Sequence, residues 1–157
     1  MNLITFDVNE PLLKKKDKDL LTKKTNFFIG DWCLKQENIY LPNKKKYRTP
    51  KYYHWDNHEK FTRDKIYLKK IYLIILKNLS KNLNMYHNTQ YPIKYWELLI
   101  SRWLWTYLGY LLDRWEIVNS VLKNNKITST VAFNFEEKKF IPKNSSNFHQ
   151  NVLWSNY

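Results

Sequence analysis

The sequence predicts an α/β fold in which a few strands, in a parallel sheet, combine with two long helices. Three observations predict it. Short apolar runs at 2–6, 26–30 and 128–135 have the length and residue types of strands, and the region between 56 and 123 carries two extended stripes at helical spacing. The third is composition: 157 residues that are 43% hydrophobic and 17% aromatic suit one packed domain of ordinary size and exclude an intrinsically disordered chain.

The elements follow in order. Asn2 to Phe6 and Asn26 to Gly30 read as short buried strands, separated by a solvated loop or short helix over Leu12 to Lys24, where lysines and aspartates alternate with leucines. Leu34 to Lys51, with two prolines and no helical period, reads as a loop with room for a short extended piece. Asp56 to Glu59 has the form of a capping box, Asp56 accepting from the backbone and Glu59 reaching back. The helix it opens shows Tyr67, Ile71, Ile75, Leu79 and Leu83 at four-residue intervals, with Leu68, Tyr72 and Leu76 beside them. Asn84 to Gln90 breaks this pattern, and Pro92 fits the first turn of a second helix reaching about Lys123. That helix is apolar nearly all round: Trp96, Leu99, Ile100, Trp103, Tyr107, Tyr110 and Leu111 form one stripe, widened by Leu98, Leu104, Leu108 and Leu112. A short connection favours antiparallel packing, so the Tyr67-Ile71-Ile75-Leu79 face is expected against Leu99, Trp103 and Leu111. The last stretch, 126–157, is a strand and an irregular end closing on Val152-Leu153-Trp154, which reads as an interruption.

Composition narrows the function classes. The formal net charge is +13, with lysine far outnumbering arginine and with abundant Asn, Ile and Tyr, a profile that tolerant surface positions acquire in an AT-rich genome. The runs Lys14 to Lys16 and Lys44 to Lys46 read as solvated faces, and no helix shows a one-sided basic row with interleaved exposed aromatics, so nucleic acid is not the favoured partner. The single cysteine, Cys33, excludes an internal disulfide and a cysteine-based zinc site; it reads as a small buried hydrophobe. The amino terminus lacks the apolar stretch of a signal peptide, and no run approaches the roughly 20 apolar residues of a spanning helix, so the expected location is the cytoplasm, with a peripheral place at the inner membrane as the variant. With two glycines the chain builds no Gly-rich phosphate loop, and no metal motif or evident cofactor motif occurs.

Three constellations carry chemistry. In Phe28-Ile29-Gly30-Asp31-Trp32-Cys33 a strand runs into Asp31 and Trp32, and strand carboxyl ends of open parallel sheets face the ligand crevice, so Asp31 either meets a substrate hydroxyl or bonds nearby backbone. Tyr53-His54-Trp55-Asp56 sets an imidazole and a carboxylate among aromatics at a helix start. There Asp56 is a ligand contact or a cap, and His54 has no evident structural duty; a histidine's ordinary pKa of about 6.5 suits proton transfer near neutrality. Late in the second helix, Arg114 of Asp113-Arg114-Trp115 shares the stripe of Trp103 and needs an acid or a ligand. His54 is the candidate catalytic residue, with Asp31, Trp32, His54, Asp56 and Arg114 the candidates for substrate binding. His54 and Asp31 are expected to line one cleft.

Taken in order, these motifs resemble the amino-terminal part of a bacterial family of surface-carbohydrate biosynthesis transferases of lipopolysaccharide and O-antigen type. Phe28-Ile29-Gly30-Asp31-Trp32-Cys33 is similar to the family's strand followed by Gly, an acid, Trp and Cys. Tyr53-His54-Trp55-Asp56-Asn57, followed by Lys60 and Tyr67-Leu68, resembles its Tyr-His-Trp-Asp-Asp signature, and Tyr95-Trp96, Trp103-Leu104 and Asp113-Arg114-Trp115 match its long aromatic helix. Asn57 replaces a second aspartate, and Ser101-Arg102 stands where the family has Gly-Pro.

The resemblance implies a glycosyltransferase, a nucleotide-activated sugar as donor and a glycan or lipid-linked acceptor. It implies residues 1–157 as an incomplete amino-terminal domain of a two-domain, GT-B-like enzyme: strands and basic loops over 1–51, two long helices over 52–125, and the strand and irregular end. Most of the donor pocket would lie in the missing carboxy-terminal half. The alternatives are an inactive truncated or split-gene module that needs a second chain, and a cationic protein that binds anionic membrane or nucleic acid.

Overall fold

A computed structural model describes residues 1–5, 25–30, 33, 47–130, 143–144 and 146–147. They belong to two compact units, one formed by Met1–Lys51 with Val118–Tyr157 and the other by Tyr52–Ile117. The architecture is α/β, as the sequence predicts. The lysine runs 14–16 and 44–46, the 12–24 segment, residues 131–135 of the last expected strand and the Val152-Leu153-Trp154 end lie outside the described residues.

The first unit is a parallel sheet of β1 (Asn2–Ile4), β2 (Asn26–Phe28), β3 (Tyr47–Arg48) and β4 (Ser129–Thr130), in the order β3-β2-β1-β4. Leu3 pairs with Phe27 and Ile4 with Phe28, and all four side chains are buried, which explains why these short runs are apolar throughout instead of alternating. Register is fixed by polar groups at the strand starts. Buried Asn2 donates through Nδ2 to Oδ1 of buried Asn26 at 3.1 Å, and the Ser129 hydroxyl donates to Asn2 Oδ1. A one-residue slip would leave these amides unpaired inside the sheet, at a cost of about 1–3 kcal/mol per group. Cys33 is fully buried, its Sγ 3.9 Å from the Ile4 carbonyl, and its backbone N–H donates to Gly30 O. β3 is the short extended piece expected within the 34–51 loop.

The second unit holds a short 3-10 turn, His54–Asp56, then α1 (His58–His87) and most of α2 (Ile93–Asn124). The helix-capping expectation is off by one residue: Asn57 is the N-cap of α1, its Oδ1 accepting from Lys60 N–H at 2.8 Å. Asp56 instead closes the 3-10 turn by accepting from the Tyr53 N–H at 3.2 Å. Because Asn and Asp cap about equally well, the Asn57 departure leaves the helix start intact. At the other end Asn88 adopts the left-handed conformation (φ 50°, ψ 50°) and donates to Asn84 O and Met85 O. The turn is tied by one side chain, since Asn84 Oδ1 accepts from Thr89 Oγ1, Tyr91 N–H and Trp96 Nε1 while its Nδ2 donates to Tyr91 O.

The helices pack antiparallel, but through a seam rotated from the expected one. Leu68, Tyr72 and Leu76 of α1 meet Leu104 and Leu108 of α2, flanked by Ile71, Ile75, Ile100, Trp103 and Leu112. Tyr67, Leu99 and Leu111 are exposed. Both helices are apolar on more than one face, and the row that packs is the one beside the expected row, Leu68-Tyr72-Leu76 in place of Tyr67-Ile71-Ile75-Leu79. Gly109 lies on the seam, where an added Cβ would stand 3.8 Å from Leu68 Cδ2. Among the described residues no helix is long and apolar enough to cross a membrane.

Candidate functional site

At the base of the hairpin, opposite its turn, the 3-10 turn before α1 meets the later part of α2. His54 Nε2 lies 3.0 Å from Asp113 Oδ1, and the same oxygen accepts from the Tyr53 hydroxyl at 2.7 Å. A carboxylate only accepts, so the imidazole proton on this side belongs to Nε2, which donates to Asp113. The side chains of His54 and Asp113 are 11% and 13% exposed, so the contact is largely shielded from water. His54 Nδ1 is buried and has no hydrogen-bond partner among the described residues. The Tyr53 and Trp55 rings flank the imidazole, with centroids 4.9 and 4.8 Å away.

A second set of contacts holds this turn on the helices. Trp55 Nε1 donates to Asp64 Oδ2 at 2.9 Å, and Lys60 Nζ bridges Asp64 at 2.8 Å and Glu116 at 2.7 Å, linking one turn of α1 to the later part of α2. Burial alone would raise the Asp64 carboxyl, but the hydrogen bonds from Lys60 and Trp55 outweigh it and hold the group below its ordinary range. For Lys60 burial acts downward, and the bonds to Asp64 and Glu116 overcome it, so the ammonium stays charged to higher pH than usual. The Tyr53 phenol is pushed well above its ordinary value, first by burial and then by its bond to the Asp113 carboxylate. These shifts describe a base that is electrostatically settled before any ligand arrives.

Of the sequence candidates, His54 stands at the centre of this cluster. Asp56 is beside it in the chain, with its carboxylate turned back to the Tyr53 backbone. Arg114 places its guanidinium 4.8 Å over the Tyr110 ring and its Nη1 3.9 Å from Asp113 Oδ2, so an acid and an aromatic face answer its need for partners. Asp31 and Trp32 lie outside the described residues, and with them the expectation that Asp31 shares a cleft with His54. In the first unit an open cleft at the strand starts is lined by Met1, Thr25, Arg48, Asn124, Asn125 and Lys126, none of them a candidate.

Sequence reasoning passed over Asp113, Tyr53, Lys60, Asp64 and Glu116 as site members. One signal was available for Asp113: an acid on a helix that is apolar nearly all round must find a partner.

Chemically, an imidazole whose Nε2–H is held by a carboxylate can take a proton at Nδ1, and the carboxylate stabilises the imidazolium that results. Such a dyad suits a group-transfer enzyme that must deprotonate a hydroxyl, and the comparison with family models agrees on the class: the chain is a transferase-family protein. It belongs to the LIC12162 family of transferases, whose model matches residues 12–157. No curated protein and no solved structure matches the chain.

Proposed function

We propose that the chain is the acceptor-activating part of a glycosyltransferase that builds bacterial surface polysaccharide from a nucleotide-activated sugar. The observation that carries this reading is the His54–Asp113 contact, with Nε2 engaged and Nδ1 unclaimed, in a chain of a transferase family. In the proposed step an acceptor hydroxyl gives its proton to His54 Nδ1 while its oxygen bonds to the anomeric carbon of the donor. The bond from that carbon to the leaving phosphate oxygen breaks, and its electron pair leaves on the terminal phosphate of the nucleoside diphosphate. Asp113 holds the imidazole in the required tautomer and balances its new charge; it is a positioning residue. Entry of the hydroxyl requires a neighbouring side chain to shift, since Nδ1 is buried.

The resemblance of the aromatic helix and the Tyr-His-Trp-Asp motif to surface-carbohydrate transferases supports the sugar and the polysaccharide context; in this reading donor binding belongs mostly to a carboxy-terminal half or a second chain. The test is therefore made in the cell. A strain lacking the gene is complemented with wild type, His54→Gln or Asp113→Asn, and its surface glycan is resolved on gels. Wild type should restore the glycan, His54→Gln should not, and Asp113→Asn should restore it weakly. Full restoration by His54→Gln refutes the base, and an unchanged glycan in the deletion strain refutes the polysaccharide.

A further inference from the structure

The turn end of the helical hairpin carries a pattern that the site at its base does not use. Met85 and Tyr86, the penultimate pair of α1, are 72% and 84% exposed, and Leu98 on the second turn of α2 is 75% exposed. Tyr91 and Tyr95 are exposed as well and stack with centroids 4.1 Å apart. Exposure of this kind leaves apolar surface in water whose burial would be favourable, and it is not looseness: the four hydrogen bonds of Asn84 fix the turn that presents these residues.

Charge is distributed along the hairpin with the same polarity. Of the six acids in 52–117, five (Asp56, Glu59, Asp64, Asp113 and Glu116) lie at the base. Between 69 and 111 the basic residues are Lys69, Lys70, Lys77, Lys81, Lys94 and Arg102, and the lone acid is Glu97, which Lys94 pairs at 2.8 Å. The turn end is thus aromatic, apolar and cationic. In the half of the hairpin nearer the turn the cations are Lys77, Lys81, Lys94 and Arg102; three of the four are lysines, compact charges suited to a diffuse anionic surface, whereas a site for defined phosphates in nucleic acid would favour the bidentate fork of arginine.

We propose that the hairpin turn docks the chain on an anionic lipid bilayer, with Met85, Tyr86, Tyr91 and Leu98 at the headgroup level and the lysines behind them over anionic headgroups. Tyrosine suits that level because its ring is apolar and its hydroxyl wet. At about 1.5 Å per residue Lys81 and Lys94 stand within about 10 Å of the turn, inside a Debye length of the surface once the turn is seated, and Lys77 follows one turn behind Lys81. The inference does not depend on the sugar-transfer reading.

The experiment is flotation of the full chain with vesicles of phosphatidylcholine alone or mixed with phosphatidylglycerol. Binding to the mixed vesicles is expected, with little to phosphatidylcholine, and it should fall as salt rises. Lys77→Gln with Lys81→Gln, both exposed, should weaken it roughly 10- to 30-fold, from about 1 kcal/mol per lysine near an anionic surface. Met85→Ser with Tyr86→Ser should weaken it about 10-fold at unchanged charge. Arg63→Gln with Lys65→Gln, exposed at the other end of α1, removes the same charge and should change it less than about 3-fold. No binding to mixed vesicles, equal loss in the Arg63 and Lys65 pair, or no loss in the Met85 and Tyr86 pair overturns the proposal. So does tip-dependent binding of polyuridylate without binding of vesicles.

Discussion

Replacing Asp113 with asparagine keeps the shape of the side chain and removes its charge, which isolates what the carboxylate does for Tyr53 and His54. In the structure one oxygen accepts two hydrogen bonds, at 2.7 and 3.0 Å. Bonds to a charged acceptor contribute about 1.5–3 kcal/mol against about 0.5–1.5 for neutral pairs, so the substitution forfeits about 1 kcal/mol per bond. Tyr53 is 44% exposed, and water screens its share, which brings the expected loss to about 1–2 kcal/mol. With a urea slope of about 2 kcal/mol per molar, the midpoint should fall by roughly 0.5–1 M at neutral pH, with the slope unchanged. Tyr53→Phe combined with Asp113→Asn should lose less than the two separate losses added, because the pair shares one bond. Ultraviolet titration gives an independent reading: the Tyr53 phenol, held above its ordinary range in the wild type, should ionise at lower pH in Asp113→Asn. A midpoint within about 0.1 M of wild type, with an unmoved phenol titration, would show that the carboxylate does not anchor the turn.

Other expectations follow from the same coordinates. Gly109→Ala should stabilise by about 0.5–1 kcal/mol in urea unfolding, since the new methyl stands at ordinary contact distance from Leu68 and a mid-helix glycine is lost. Leu104→Ala should cost about 2–5 kcal/mol and Leu99→Ala less than about 1; the reverse order would restore the unrotated seam. The depressed Asp64 carboxyl contributes stability that is present above its unfolded pKa of about 4 and lost as pH falls through the lower folded value, so unfolding monitored by circular dichroism should ease below about pH 4. Lys60 has the opposite sign: its raised pKa gives stability present below about pH 10 and lost above, and Lys60→Met should flatten both flanks of the profile.

The elements were legible because their signals are local. Pro92 and the Asn84-to-Gln90 break mark the hairpin turn, and the apolar runs at 2–6 and 26–30 contain the buried strands. The packing seam was not, because both helices have more apolar surface than one contact can cover; Leu99 and Leu111 read as well as Leu104 and Leu108 until the partner is in place. The site was half legible. His54 stood out as a titratable group without a local task, whereas Asp113 is 59 positions away and becomes its partner only through the antiparallel fold of the helices. Arg114, its neighbour, drew the attention because an arginine on an apolar stripe is conspicuous. Asp56 and Asn57 show the limit of capping patterns: two good caps in succession, of which geometry uses the second.

The hairpin sets its own order of assembly. Asn84 and Trp96, and the stacked His87 and Trp96, are near neighbours in sequence, whereas Tyr53 and Asp113 are 60 positions apart. Loop-closure entropy therefore favours zipping from the turn toward the base, with the His54–Asp113 contact made last. Substitutions at Asn84 should slow folding, and those at Tyr53 or Asp113 should mainly speed unfolding. The end of the hairpin that holds the His54–Asp113 contact is then also the first to fray, and transient opening there exposes a nitrogen that is buried in the closed form.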